Sequence, residues 1–182
     1  MSGFELNWWR IMKKWRTIAV ALFVLTVGLT AVAVSARAGG PPATPLVPVL
    51  KKIDTAHAAS ARVDLVRFRF RHAAPADVTA RYVPRSALIQ DGSGLPVAVR
   101  GQSFVQVVFR GAAAHDERGR PTAPRDLSPV PATTNVVQIR LGGDFEGVVT
   151  YFIGLRGPAP APSVHPTVER TGADVTVGIP TR

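Results

Sequence analysis

Cysteine is absent from all 182 residues. Its absence excludes a disulfide framework, a thiol nucleophile, cysteine-bound zinc and a lipid-bearing cysteine behind a leader. Histidine offers little more: His57, His72, His115 and His165 lack the helical i, i+4 spacing that sets two metal ligands on one face. Neither a metal nor a cofactor is therefore expected. Lysine is scarce, with only Lys51 and Lys52 beyond residue 38, so the positive charge rests on arginine. Past the N-terminal segment no run holds a convincing helical period, which argues against a fold built of helices.

What is present begins with a leader. Lys13-Lys14-Trp15-Arg16 is a basic segment, Thr17 to Val34 is uncharged and apolar, and Ala36-Arg37-Ala38 offers a small-x-small cleavage site before Gly39. Translation can start at Met1 or at Met12, since Met12-Lys13-Lys14 also opens a signal peptide of ordinary form. The apolar run is 18 residues long, at the edge of what spans a bilayer, so residues 1–38 read as a signal peptide or as a retained signal-anchor helix. In either case the remainder is expected outside the cytoplasm, secreted or tethered to the membrane only through residues 17–34. Residues 1–38 hold five of the 22 basic and one of the 12 acidic residues, which leaves +6 on the remainder. A basic exported domain favours anionic envelope polymers or lipid headgroups, and nucleic acid is not expected at that address.

Residues 39–61 open with Gly39-Gly40-Pro41-Pro42 and read as a linker, in which Val49 to Ala61 has room for a short helical turn. Residues 62–182 read as one domain. In Arg62 to Arg71, Val66, Phe68 and Phe70 alternate with Arg67, Arg69 and Arg71, the period of a half-buried strand. Further strands are expected at 77–83, 102–109, 135–141 and 173–179. Residues 86–90 and 95–100 are expected to form a hairpin about Asp91-Gly92-Ser93-Gly94. Gly111 to Pro131 is a long polar stretch, and loops of that length in compact domains are often functional. Gly142-Gly143-Asp144-Phe145-Glu146-Gly147 reads as a tight turn led by its paired glycines. It runs into Val148 to Leu155, which is apolar on both alternating faces, as in a strand buried on both sides. About eight short strands without a helix predict an all-β sandwich or partly open barrel behind the N-terminal hydrophobic helix.

Chemistry is harder to find. Asp144 and Glu146 stand at i and i+2, which on a strand share a face. Glycosidase carboxylates usually come from different elements, however, and acids beside a glycine turn more often cap backbone N–H groups. His115-Asp116-Glu117 reads as a solvated loop tip. Ser93 lies in a hairpin turn rather than the strand-to-helix elbow of a serine nucleophile. Asp91 to Gly94 lacks the acid ladder of a calcium loop. No catalytic residue is assigned, and Asp91, Asp144 and Glu146 are expected to be structural turn residues. Arg67, Arg69 and Arg71 are the ligand-binding candidates, because three guanidinium groups on one strand face can grip carboxylates or phosphates. The alternative is a solvated face whose arginines discourage aggregation.

The order of segments resembles the AMIN-like domain of secreted actinobacterial proteins. The resemblance is carried by Asp64-Leu65-Val66-Arg67-Phe68-Arg69-Phe70, Tyr82-Val83, Asp91-Gly92-Ser93-Gly94-Leu95-Pro96-Val97 and Ala114-His115-Asp116-Glu117-Arg118-Gly119-Arg120-Pro121-Thr122. It ends with Gly143-Asp144-Phe145-Glu146-Gly147-Val148 and Ile153-Gly154-Leu155. The chain departs from the family where Thr171-Gly172-Ala173-Asp174-Val175 replaces a proline-arginine-aliphatic-aspartate strand, which leaves the pairing of the last strand open. The resemblance implies a β-sandwich related to AMIN domains, which bind peptidoglycan or localise envelope machinery, and it implies no catalytic residues. The expected function is thus a non-enzymatic envelope domain that binds peptidoglycan or another anionic wall polymer through the arginine face. The alternatives are a module that docks on another envelope protein and, behind it, a wall-polymer hydrolase acting through Asp144 and Glu146.

Overall fold

The computed structural model describes residues 46–181, so the N-terminal segment expected to be a signal or anchor helix and most of the Pro/Gly-rich stretch lie outside the described residues. Nine strands are found among those residues: β1 (Val49–Ala58), β2 (Val63–Arg71), β3 (Asp77–Val83), β4 (Ser103–Arg110), β5 (Asp126–Leu127), β6 (Val136–Phe145), β7 (Val148–Leu155), β8 (Thr167–Thr171) and β9 (Asp174–Pro180). They form two antiparallel sheets, one ordered β1-β2-β9-β8 and the other β3-β4-β7-β6-β5. Neither sheet closes on itself, so the molecule is an open sandwich and not a barrel.

The inward positions of β2 alternate as its sequence demands. Val66, Phe68 and Phe70 are buried, while Arg67, Arg69 and Arg71 are exposed. Across the core, Phe68 meets Phe109 of β4 edge-on with ring centroids 4.9 Å apart and Tyr151 of β7 at 5.5 Å. Aromatic pairs in these tilted arrangements add about 0.5–1.5 kcal/mol beyond the area they bury. Strand β7 lies at the centre of its sheet, between β4 and β6, as its doubly apolar pattern predicts. Its second face is covered by residues 84–101, where Leu88 and Val99 pack on Phe104 and Phe152. Arg85 pins that cover, donating to the carbonyls of Val99 and Gly101 and lying 4.6 Å over the Phe104 ring.

Four expectations need correction. Val49–Ala58, expected to hold a helical turn within the linker, is a strand paired along β2, and a bulge between Leu50 and Lys52 breaks the alternation that would have revealed it. Residues 86–100 make no two-stranded ladder. A 3-10 turn at Arg85–Ala87 and a single bridge between Ile89 and Pro96 replace it, because the segment lies flat on the sheet to bury its apolar residues. Gly142 and Gly143 are inside β6, and the reversal falls at Glu146-Gly147, both at positive φ (49° and 75°). The two strand glycines are needed for space: a Cβ on Gly142 would come within 2.4 Å of the Phe152 ring, and one on Gly143 within 2.4 Å of the Asp91 side chain. Finally, Thr167–Thr171 forms a strand that sequence periodicity missed, exposed at every position with Val168 its one apolar residue. The divergent last strand β9 pairs with both β2 and β8.

Candidate functional site

Residues 111–125 cross the end of the sandwich where β1 begins and where β2 and β4 finish. Backbone bonds hold the loop at three places: Leu50 N–H to Ala113 O at 2.8 Å, Ala113 N–H to Pro48 O at 3.0 Å and Ala112 N–H to Gly147 O at 3.0 Å. The Thr122 hydroxyl adds a bond to Leu50 O at 2.6 Å. At the loop tip the Asp116 carboxylate accepts the backbone N–H groups of Arg118 and Arg120, and the Arg120 side chain as well. Those bonds, that of the Arg120 guanidinium foremost, hold its carboxyl below the ordinary carboxylate value. Asp116 therefore shapes the tip rather than reaching out from it.

The next residues toward β6 form a tighter group. Asp144, mostly buried on β6, accepts the Ala114 N–H at 3.1 Å and lies 2.6 Å from His115 Nδ1. A carboxylate can only accept, so Nδ1 carries a proton and donates to Asp144. Close by, the Tyr151 hydroxyl donates to Pro124 O at 2.7 Å. Burial raises its pKa far above the ordinary value, and the Asp144 charge raises it further. Asp91 is brought to the same place by its N–H bond to Gly142 O at 3.1 Å, and one of its carboxylate oxygens is buried with no partner. Gln90, Asp91, His115, Arg125, Asp144 and Phe145 line a cleft of about 420 Å³ here. A larger groove of about 970 Å³ lies on the other side of the loop tip, lined by Lys51, Arg71, His72, Arg118, Arg120 and the exposed Leu46. His115 lines both.

The residues singled out by sequence are thus partly reunited. Asp91 and Asp144 share the smaller cleft, whereas Glu146 sits past the end of β6 in the exposed turn. Asp144 is engaged by the Ala114 N–H and by His115. The three arginines are all exposed on the outer face of β2, but they are not equivalent. Arg69 Nε lies 2.6 Å from the Asp54 carboxylate, a close ion pair rather than an aligned hydrogen bond, and Lys52 approaches the same group at 2.7 Å. Arg67 makes no ion pair among the described residues, and Arg71 turns the row into the larger groove.

Two functional features escaped the sequence reading. His115 is paired with an acid 29 residues away, and no spacing rule reaches that far. Asp64, fully buried on β2, accepts the backbone N–H groups of Thr134, Asn135 and Val136 together with His57 Nδ1. A signal for Asp64 did exist: it has the same strand parity as Val66, Phe68 and Phe70, and so had to point inward.

The family model of the AMIN-like domain matches residues 48–171. No curated protein and no solved structure matches the chain.

Proposed function

Because the chain belongs to the AMIN-like domain family, we propose that it is a non-enzymatic binding domain of the cell envelope that takes an anionic wall polymer such as peptidoglycan. What supports this reading is the set of cations that runs from the exposed β2 row through Arg71 into the groove, where Lys51, Arg71, Arg118 and Arg120 outnumber Asp116 and Glu117. Guanidinium groups pair with carboxylates and phosphates in bidentate fashion, and a row of them suits a repeating polyanion. Asp54 neutralises part of the row, so the working cations are Arg67, Arg71 and those of the groove. The Asp144 and Glu146 carboxylates are given no catalytic step.

Residues 43–182 pack as one compact unit, and their co-sedimentation with insoluble cell-wall sacculi tests the reading. Retention is expected at low salt and should fall steeply toward 1 M salt, where the screening length drops to about 3 Å. Replacing Arg67, Arg69 and Arg71 by glutamine should remove retention while leaving the unfolding transition in place. Retention that ignores both changes overturns the arginine account.

A second reading, docking on another envelope protein by strand addition, is favoured by β8. This edge strand is short and exposed at all five positions, including Val168. Capture through β8 should be insensitive to salt and should be lost when proline replaces Val168, whose arrival removes a backbone donor from the edge.

A further inference from the structure

The smaller cleft differs in character from the basic groove beside it. Its two carboxylates, Asp91 and Asp144, are set against the Arg125 guanidinium and the His115 ring, so it holds groups of both signs rather than cations alone. Donors and acceptors alternate around it: Asp91 and Asp144 accept, Arg125 donates, and the Gln90 amide does both. At its edge stands Phe145, 52 % exposed, its ring close enough to Gly92 that a Cβ added there would lie 3.5 Å from it. Phe145 is the aromatic residue among those that line the cleft. A volume of about 420 Å³ lies within the range of small-ligand sites.

We propose that this cleft binds one or two sugar residues of an uncharged glycan segment, with a sugar ring laid on the Phe145 face. A pyranose has a C–H face that gains dispersion energy against a flat aromatic ring. Its hydroxyl groups donate to carboxylates and accept from a guanidinium in the same plane. Asp91 lines the cleft beside Asp144, which places two carboxylate groups where hydroxyl donors of a sugar would lie. The paired carboxylates make the cleft a poor site for the anionic groups that the basic groove would take. The inference extends the polymer reading by assigning the polymer's sugar to a separate cleft. The two can fail separately, because the groove works by charge and the cleft does not.

The test uses the full chain, isotopically labelled, in a detergent without a sugar headgroup. Three neutral trisaccharides serve as probes: chitotriose, cellotriose and xylotriose. At least one should shift the backbone amides of Gly92, His115 and Gly143, with an affinity that salt leaves unchanged. Phe145→Ala should weaken that binding at least about tenfold, the loss of a stacking contact. Replacement of Arg67, Arg69 and Arg71 by glutamine should leave it alone. Phe145 is half exposed, so its removal does not threaten the fold. Absence of amide shifts with every probe overturns the proposal. So does binding that survives Phe145→Ala, or binding that salt or the arginine replacements abolish.

Discussion

Asp64 gives the sharpest test of how this domain is held together. Its side chain is fully buried, yet it accepts from the backbone N–H groups of Thr134, Asn135 and Val136, from the Thr134 hydroxyl and from His57 Nδ1. One carboxylate thereby fixes the turn that feeds β6, and Asn135 passes the constraint to Gly157 through its own side chain. Asp64→Ala strands these donors. Each buried donor left unsatisfied costs about 1–3 kcal/mol, though water can reach the half-exposed turn and recover part of that. The expected loss is about 3–5 kcal/mol, a large share of a typical total of about 5–15 kcal/mol. Asp64→Asn keeps one acceptor but turns an amide NH₂ toward donors, and should lose about 2–3 kcal/mol. Burial on its own raises the Asp64 pKa, but the bonds from Asn135, Thr134, His57 and Val136 outweigh it and leave the value below 3.8. A depressed pKa in the folded state means stability that is complete above the unfolded value and is lost as pH falls through the folded one. The gap between the parent and Asp64→Asn should therefore be full at pH 7 and shrink from about pH 5 downward. Urea unfolding at a series of pH values measures it. An Asp64→Ala variant within about 1 kcal/mol of the parent at pH 7, or a gap that widens in acid, would refute the reasoning.

Two further changes probe the packing that shapes the clefts. At Gly154 a Cβ would fall 1.8 Å from the Arg100 carbonyl oxygen, a backbone atom that cannot swing aside. Gly154→Ala should destabilise by more than about 3 kcal/mol in urea unfolding, and a variant as stable as the parent would mean the 84–101 cover does not lie where described. Tyr151→Phe leaves the Pro124 carbonyl without its donor and should cost about 1–2 kcal/mol by thermal or urea unfolding, with the Arg125 side of the cleft losing hydrogen-exchange protection first. An unchanged exchange pattern would detach Tyr151 from the cleft.

The parts of the fold that were legible in the sequence are those where one strand meets one face of the core. Arg62 to Arg71 announces its two faces because nothing interrupts its period, and Val148 to Leu155 announces double burial because every position is apolar or small. Where the chain departs from a period of two, the reading fails for a physical reason. The bulge at Leu50 to Lys52 hid β1, and a second bulge between Leu141 and Gly143 carried the paired glycines into β6 and moved the turn to Glu146. Exposed β8 has a single apolar residue, Val168, and so no period to show. For the site, composition pointed to the 111–131 loop and to Asp91 and Asp144, but not to their meeting. His115, Asp144 and Asp91 come together only because the 84–101 cover and the 111–125 loop are both docked on β6, a long-range arrangement that no local motif encodes.

That docking also explains why a loop can serve as a binding surface in this domain. Loops are ordinarily mobile, and a ligand that must order one loses affinity to the entropy of doing so. Here the loop is tied to β1 by Leu50 and Thr122, to the β6–β7 turn by Ala112 and to β6 by the Asp144 carboxylate. The groove on one side of the tip and the cleft on the other are therefore formed before any ligand arrives. His115 borders both and is held through Nδ1, so a polymer lying across the tip meets cations on one side and balanced hydrogen-bonding groups with an aromatic rim on the other. Charge alone would bind any polyanion, and a sugar in the cleft alone, as proposed, would be held weakly. Placed side by side on one fixed loop, each limits what the other accepts, because a ligand gains from both only when its charges and its sugars are spaced to match.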